Sequence, residues 1–388
     1  MKLIFAHDHI FYKFSNQFYS TGGLSKEMLE RYTAVFDEVI VLSRQKHINT
    51  YNDKLTLAST DRVKFVEIPE FKSISKLTRI FEVKKIINAE IKLGDSVIAR
   101  LPSSIGSLAV SAAIKNKIPY LLEVVACPWD ALWNHSFKGK LVAPYKFFKM
   151  KNQVWNSKYS IYVTNKFLQE RYPTKGKSVN CSNVALQEFD NNILEKRIEK
   201  ILNKLDTKLI IGTTAAIDVK YKGQQYIIEA LGQLKKQGIA NFEYQLVGGG
   251  DTKYLKSIAE KYDVSNQVKF LGTLPHNKIF EWLDEIDIYA QPSRQEGLPR
   301  ALIEAMSRGL PAMGSNTAGI PELLEKNFIF TNSRENIKEI IEILGQFQKE
   351  NRILQAKRNY IESKKYDKQV IENRRNKFLN QFKVEKSI

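Results

Sequence analysis

Two carboxylates, Glu296 and Glu304, stand eight positions apart in the run QPSRQEGLPRALIEAMSRGLPAMGSNTAGIPELL, from Gln291 to Leu324. Before the run, IDIYA reads as a short buried strand, so the order is strand, loop, helix. A helix beginning near Leu298 turns its free N–H groups back toward Glu296, with Gly297 and Leu298 at its mouth, and forms an anion site. Eight helical residues span roughly 12 Å, about the reach of a nucleotide sugar from ribose to hexose. Carboxylates that bind hydroxyls, on either side of a helix end that binds phosphate, are the equipment for handling an activated sugar. An amphipathic helix with an acidic outer face would account for Glu304 alone. It leaves Gly297, Pro299 and the later Gly319-Ile320-Pro321 step without a purpose.

Other residues extend the same chemistry. Lys222-Gly223 opens a predicted helix, a place where an ammonium reaches a diphosphate, and Lys220 is a candidate second cation or a residue of a surface turn. Val247-Gly248-Gly249-Gly250-Asp251 ends a strand in three glycines, which let backbone approach a ligand at the carboxyl edge of a sheet. Gly22-Gly23, ahead of a helix expected from Leu24, is either a cleft-edge loop or a plain turn. His7 and His9 share one side of a strand end, but no third ligand accompanies them at recognisable spacing, so they read as polar residues of a cleft rather than metal ligands.

These residues carry a resemblance. Glu296 to Glu304 resembles the E-x7-E signature of the retaining family-four glycosyltransferases of bacterial surface polysaccharides, and Gly319-Ile320-Pro321-Glu322 resembles the step that follows it there. The resemblance implies a GT-B fold, two tandem Rossmann-like doubly wound domains with the substrate cleft between them. It gives Lys222 the donor diphosphate and Glu304 the ribose hydroxyls, and it places Glu296 at the transferred sugar or its leaving phosphate. Gly248, Gly249 and Leu271 line the base pocket, and Gly22-Gly23 lies near the diphosphate and acceptor. Retention without a covalent sugar intermediate is implied as well. Two departures stand out. The arginine that relatives carry after a glycine is absent from Gly212-Thr213-Thr214, which leaves Lys220 as a substitute. The histidine of the mid-domain strand is absent from Leu122–Asp130, which leaves Glu123 or Asp130 to take part near the acceptor.

The elements that must position these groups alternate. Predicted strands at Lys2–Ala6, Val39–Leu42, Ser96–Ala99, Tyr120–Val125, Ile161–Val163 and Ser178–Val179 are separated by helical periodicity, such as Leu24, Met28, Tyr32 and Val35. This alternation predicts an α/β domain with a parallel sheet. A second series follows at Leu209–Gly212, Glu243–Val247, Val268–Leu271 and Ile286–Tyr289. The polar stretch Asp190–Lys208 reads as the connection. The expected domains are 1–190 for the acceptor, 191–358 for the donor, and a helix over 359–388 that crosses back to the first.

Length and charge bound the rest. The 388 residues exceed one typical core and suit two domains. The opening apolar run is too short for a secretory signal, and two cysteines suit a reducing compartment, so a cytoplasmic enzyme is expected. A net charge of +18 calls for an anionic partner. Between Asp130 and Glu170 there is no acidic residue, while Lys138, Lys140, Lys146, Lys149 and Lys151 alternate with Trp133, Tyr145, Phe147, Phe148 and Trp155. The segment is either an interface with the anionic inner face of the cell membrane or a solvated helix whose aromatics face the core. The leading expectation is transfer of a hexose or N-acetylhexosamine from a nucleotide-diphosphate sugar, with UDP the expected nucleotide, to a glycan or polyprenyl-diphosphate-linked acceptor. No cofactor and no metal are expected. A nucleotide-sugar epimerase of the same fold is the alternative. A nucleic-acid binder is the weaker one, since no binding motif accompanies the charge.

Overall fold

The computed structural model describes residues 1–51, 55–71, 78–133, 137–184, 186, 189–204, 208–333 and 335–385. They form two compact units, one of Met1–Cys181 together with Glu372–Ile388, the other of Ser182–Ile371.

The strands of the first unit are β1 (Lys2–Phe14), β2 (Gln17–Ser20), β3 (Glu38–His47), β4 (Thr56–Leu57), β5 (Val63–Glu67), β6 (Ser96–Leu101), β7 (Tyr120–Val124), β8 (Tyr159–Tyr162) and β9 (Lys177–Asn180). Its helices are α1 (Lys26–Thr33), α2 (Ile80–Leu93), α3 (Ser104–Asn116), α4 (Pro128–Trp133), α5 (Phe137–Trp155) and α6 (Phe167–Arg171). The parallel strands run β5-β3-β1-β6-β7-β8-β9, so the chain order reverses between β1 and β6. That reversal is a topological switch point, where open α/β sheets bind ligands outside the strand ends. β1 outruns its expected end at Ala6. After an irregularity between Ala6 and Ile10 it continues beside β3 and turns back antiparallel into β2. Ile4, Ala6, Ile40 and Val97 pack on Val83, Ile87 and Ile91 of α2, the apolar face at helical spacing.

The strands of the second unit are β10 (Leu209–Thr214), β11 (Phe242–Val247), β12 (Val268–Gly272), β13 (Ile288–Gln291), β14 (Ala312–Ser315) and β15 (Ile329–Phe330). Its helices are α7 (Asn191–Asn203), α8 (Gln224–Lys236), α9 (Lys253–Lys261), α10 (His276–Glu285), α11 (Arg300–Ser307), α12 (Asn336–Gly345) and α13 (Lys349–Ser363), and α14 (Lys368–Val384) begins in it. All pairings are parallel in the order β12-β11-β10-β13-β14-β15, with the switch point between β10 and β13.

The polar stretch read as a connection is mostly helix. α7 buries Arg197, which donates to the carbonyls of Leu283 and Ile286 at 2.7 Å each and of Arg308 at 3.1 Å. Lys200 reaches the carbonyls of Asp284 and Ile286 at 2.8 and 3.2 Å. Two cations therefore cap the orphan carbonyls at the end of α10, where the helix dipole is negative. Residues 205–207 of that stretch lie outside the described residues. Asp287 is buried and takes Lys204 and the Ile210 N–H on its carboxylate. The division between the units falls after Cys181, where the sequence reading put it after Asp190. The expected tail helix is two helices, α13 and α14, interrupted at Lys364–Tyr366. Within the first unit, α14 is tied by Glu372 to Arg31 at 2.8 Å and by Lys383 to the Val35 carbonyl at 2.6 Å.

Candidate functional site

The chemistry-bearing residues of the second unit sit on the loops that leave β10, β11 and β13. After β10 the chain makes a tight turn, Lys220–Lys222, and enters α8 through Gly223 at φ +80°. A Cβ at Gly223 would lie 2.0 Å from the Pro292 carbonyl oxygen, so only glycine lets this turn press against the loop after β13. The Arg294 N–H donates to the Tyr221 carbonyl at 2.7 Å and joins the two loops. Lys222 Nζ then donates to Glu296 Oε1 at 2.7 Å, and both side chains are largely buried. Lys220 takes another course, its ammonium 4.6 Å from the centre of the Tyr254 ring.

Glu296 has a second support that the sequence reading missed. Gln291, buried at the end of β13, donates from Nε2 to Glu296 Oε1 at 3.2 Å and to Ser293 Oγ at 3.1 Å. Its Oε1 accepts from the Tyr289 hydroxyl at 3.2 Å, and that hydroxyl accepts the Thr214 N–H at 3.3 Å. Burial raises the Tyr289 pKa well above the ordinary phenol range, so it stays a neutral donor. A polar side chain following IDIYA was the available signal.

Helix α11 begins at Arg300 with Pro299 as its N-cap, not near Leu298. Proline disfavours the helical region for the residue before it, which holds Leu298 in the loop. The Gly319 N–H donates to the Gly297 carbonyl at 2.9 Å and fixes that loop from the other side. Glu304 is buried on the first turns of α11, and its Oε1 accepts from Arg300 Nε at 2.8 Å. His276 Nε2, at the start of α10, lies 3.3 Å from the same oxygen. Arg300 and His276 are mostly exposed, so the carboxylate is reached from solvent by two movable groups. The i to i+4 spacing of Arg300 and Glu304 was readable from the sequence.

The glycines after β11 bring that strand end against the loop after β10. Gly248 donates to the Gly272 carbonyl at 2.8 Å, and the Ile217 N–H donates to the Gly249 carbonyl at 2.9 Å. A Cβ at Gly248 would meet the Ala215 carbonyl oxygen at 1.9 Å. Leu271 is exposed at the end of β12.

Of the residues expected in the first unit, His7, His9 and Glu123 interact with Arg100, and His9 and Gly22 share the Ser20 hydroxyl. Gly22 and Gly23 are exposed, and α1 starts at Lys26, not Leu24. The Gly22 N–H donates to Ser20 Oγ at 3.2 Å, and that hydroxyl lies 2.8 Å from His9 Nε2. His7 is pulled down to about 3 by burial and then by Arg100. Glu123 is buried in the sheet, where it accepts from the Tyr32 hydroxyl at 2.6 Å and lies 3.9 Å from Arg100. Asp130 pairs with Arg171 at 3.1 Å. The basic, aromatic segment divides its rings. Phe147 packs on Trp129 and Tyr172, while Leu141, Tyr145 and Phe148 are exposed. Among the described residues no helix is long and apolar enough to cross a membrane.

Residues 195–368 match the family model described as glycosyl transferases group 1. Over 370 residues the chain is 33% identical to Protein CapJ of Staphylococcus aureus, covering 92% of this chain and 90% of that one. Over 140 residues it is 41% identical to the amylovoran biosynthesis glycosyltransferase AmsK of Erwinia amylovora, covering 34% of each. Among solved structures it superposes on HepE of Anabaena in complex with UDP, with a TM-score of 0.64 and 17% identity over 98% of this chain and 100% of that one.

Proposed function

The chain belongs to the group 1 glycosyl transferases, and on that premise we propose that it moves a hexose or N-acetylhexosamine from a nucleotide-diphosphate sugar to a glycan. Its fold, two Rossmann-like sheets with helices, is GT-B. The observation that carries the reading is the Lys222–Glu296 pair at the β10/β13 switch point, beside a buried Glu304. Lys222 is the ammonium for the donor diphosphate, and its pairing with Glu296 keeps it aimed until phosphate oxygens take it over. Glu304 exchanges Arg300 for the ribose hydroxyls. The loop N–H groups at Gly297 and Leu298 face the departing diphosphate, where a preorganised donor acts most strongly on charge that develops in the transition state. Glu296 then turns to the transferred sugar. The reaction retains configuration and passes through no covalent sugar intermediate.

UDP is the favoured nucleotide, supported by the UDP held in HepE. Gly248, Gly249 and Leu271 are assigned to its base, and Lys220, leaving its place over the Tyr254 ring, to a second positive charge at the diphosphate. The unit of Met1–Cys181 with Glu372–Ile388 is assigned to the acceptor, and the unit of Ser182–Ile371 to the donor. The acceptor is a polyprenyl-diphosphate-linked glycan of polysaccharide assembly, supported by the amylovoran biosynthesis named for AmsK. The exposed rings of α5 amid its lysines support contact with the anionic inner face of the cell membrane. The epimerase alternative finds no support in the family match.

The test is incubation with UDP-sugars and membrane lipid extract, with UDP release and the anomeric proton of the product followed together. Release of UDP with transfer and an unchanged anomeric configuration is expected. Release of a free isomer of the sugar without transfer would refute the reading.

A further inference from the structure

A second switch point exists in this chain, and it carries its own pocket. Beyond Ala6 and Ala99, where the pairing of β1 with β6 ends, a cavity of about 190 Å³ opens beside α3 and α5. At about 30 Å³ per water this admits a phosphate head and a few carbons. Leu101, Leu132 and Met150 line it together with Lys146, Lys149, Ser107 and Gln153. Two of the polar groups are fixed to each other, since Ser107 Oγ donates to Gln153 Oε1 at 3.0 Å and Gln153 Nε2 donates to the Ser107 carbonyl at 2.9 Å.

Asp8, the acidic residue of the lining, already accepts from the N–H groups of Ser104 at 2.6 Å and Ile105 at 2.9 Å. Its charge is thereby balanced by the start of α3. Lys149 is half-buried and faces the added charge of Lys84, and both burial and that charge lower its pKa. Among the described residues it has no carboxylate partner. A half-buried ammonium held near another cation is a group that an anion would stabilise.

The helix carrying these lysines also carries the exposed apolar stripe. Leu141, Tyr145 and Phe148, at intervals of four and three, are 71%, 63% and 64% exposed. Lys146, Lys149 and Gln153, at intervals of three and four, form the neighbouring stripe, which lines the pocket. A molecule with an anionic head in the pocket has an apolar surface beside it for its tail.

We infer that this pocket binds a lipid-borne phosphate or diphosphate ester, with Lys149 and Lys146 on the phosphate and the stripe of α5 along the lipid chain. Calling that molecule the acceptor's carrier rests on the transferase reading. The binding itself does not.

The test is co-sedimentation of the full chain with phosphatidylcholine vesicles doped either with a polyprenyl phosphate or with phosphatidylglycerol at equal charge. The wild type should prefer the polyprenyl phosphate. Lys149→Met, which keeps the stem and removes the charge, should bind these vesicles about tenfold more weakly and the phosphatidylglycerol vesicles as before. Ala131→Phe, which fills the pocket without touching a charge, should lose the same preference. Inorganic pyrophosphate alone, followed by the fluorescence of Trp129 and Trp133, should bind more weakly than the vesicle-borne ester. Equal loss on both vesicle types, loss on neither, or equally tight free pyrophosphate would overturn the proposal. UDP-induced stabilisation of the same preparations separates the two readings. Its absence from the wild type would sink the donor site and leave the vesicle result standing.

Discussion

Lys222 Nζ lies 2.7 Å from Glu296 Oε1, across two loops that are adjacent only because their strands flank the switch point of the second sheet. The pair joins residues far apart in sequence and puts a cation and a carboxylate where a diphosphate and its sugar must part. Lys222→Ala is expected to lower the transfer rate by about a hundredfold, the usual cost of one preorganised donor at developing charge. Glu296→Gln should lower kcat and leave nucleotide affinity within about threefold. Steady-state kinetics with varied donor checks both, and full activity in either variant would remove that residue from the mechanism.

Gln291 acts through Glu296 and not on substrate. Gln291→Leu takes the acceptor from the buried Tyr289 O–H and the donor from Ser293 Oγ and should destabilise the fold by about 1–3 kcal/mol. It should also lower kcat more than it raises KM, because Glu296 loses one of its two anchors. Gln291→Glu is the companion variant, since its shape is kept while its donor is lost. Denaturant unfolding and kinetics on both variants check this, and an unchanged kcat in Gln291→Leu would leave only the structural role.

Acid sensitivity should come from the first unit. Burial and Arg100 lower His7 to about 3 and His9 to about 4 in the folded chain, against about 6.5 when unfolded. The unfolded state therefore binds more protons below pH 6.5, and stability falls as pH falls from there toward those folded values. Melting temperature measured from pH 7.5 down to about pH 4 should decline, and His7→Gln should flatten part of the decline. A flat wild-type profile would contradict the buried neutral imidazoles.

Replacing Leu141, Tyr145 and Phe148 together with serine should weaken binding to anionic vesicles and spare the melting temperature, since all three are exposed. Sedimentation with phosphatidylglycerol vesicles checks it. Unchanged binding would mean that the stripe does not meet the membrane.

The alternation of strands and helices was legible because buried parallel strands such as Leu3–Ala6 and Val39–Leu42 are continuous apolar runs. Met28 and Tyr32 of the expected helix face are buried on α1, and Leu24 and Val35, just outside its ends, are buried as well. What escaped was stabilised by polar groups. α7 looked like a linker because the side chain that docks it, Arg197, is a charge whose hydrogen bonds go to distant carbonyls. The two carboxylates of the candidate site could be placed on a strand–loop–helix unit, with Arg300 one turn before Glu304, but the partners of Glu296 could not. Lys222 and Gln291 reach Glu296 through folding of the sheet, and Lys220 turns to Tyr254, an aromatic on another helix. The start of α11 was misplaced because Pro299 acts there as the cap, not as the first helical residue.

The most direct measurement is a thermal-shift panel of UDP, GDP, ADP and their common sugar conjugates on the wild type and Glu304→Ala. A nucleotide at about a hundred times its dissociation constant stabilises by about 2.7 kcal/mol. The account predicts such a shift for UDP and a UDP-sugar, and its loss in Glu304→Ala, whose buried carboxylate holds Arg300 in the free chain. A wild type that no nucleotide stabilises, or a Glu304→Ala variant stabilised as fully as the wild type, would contradict it.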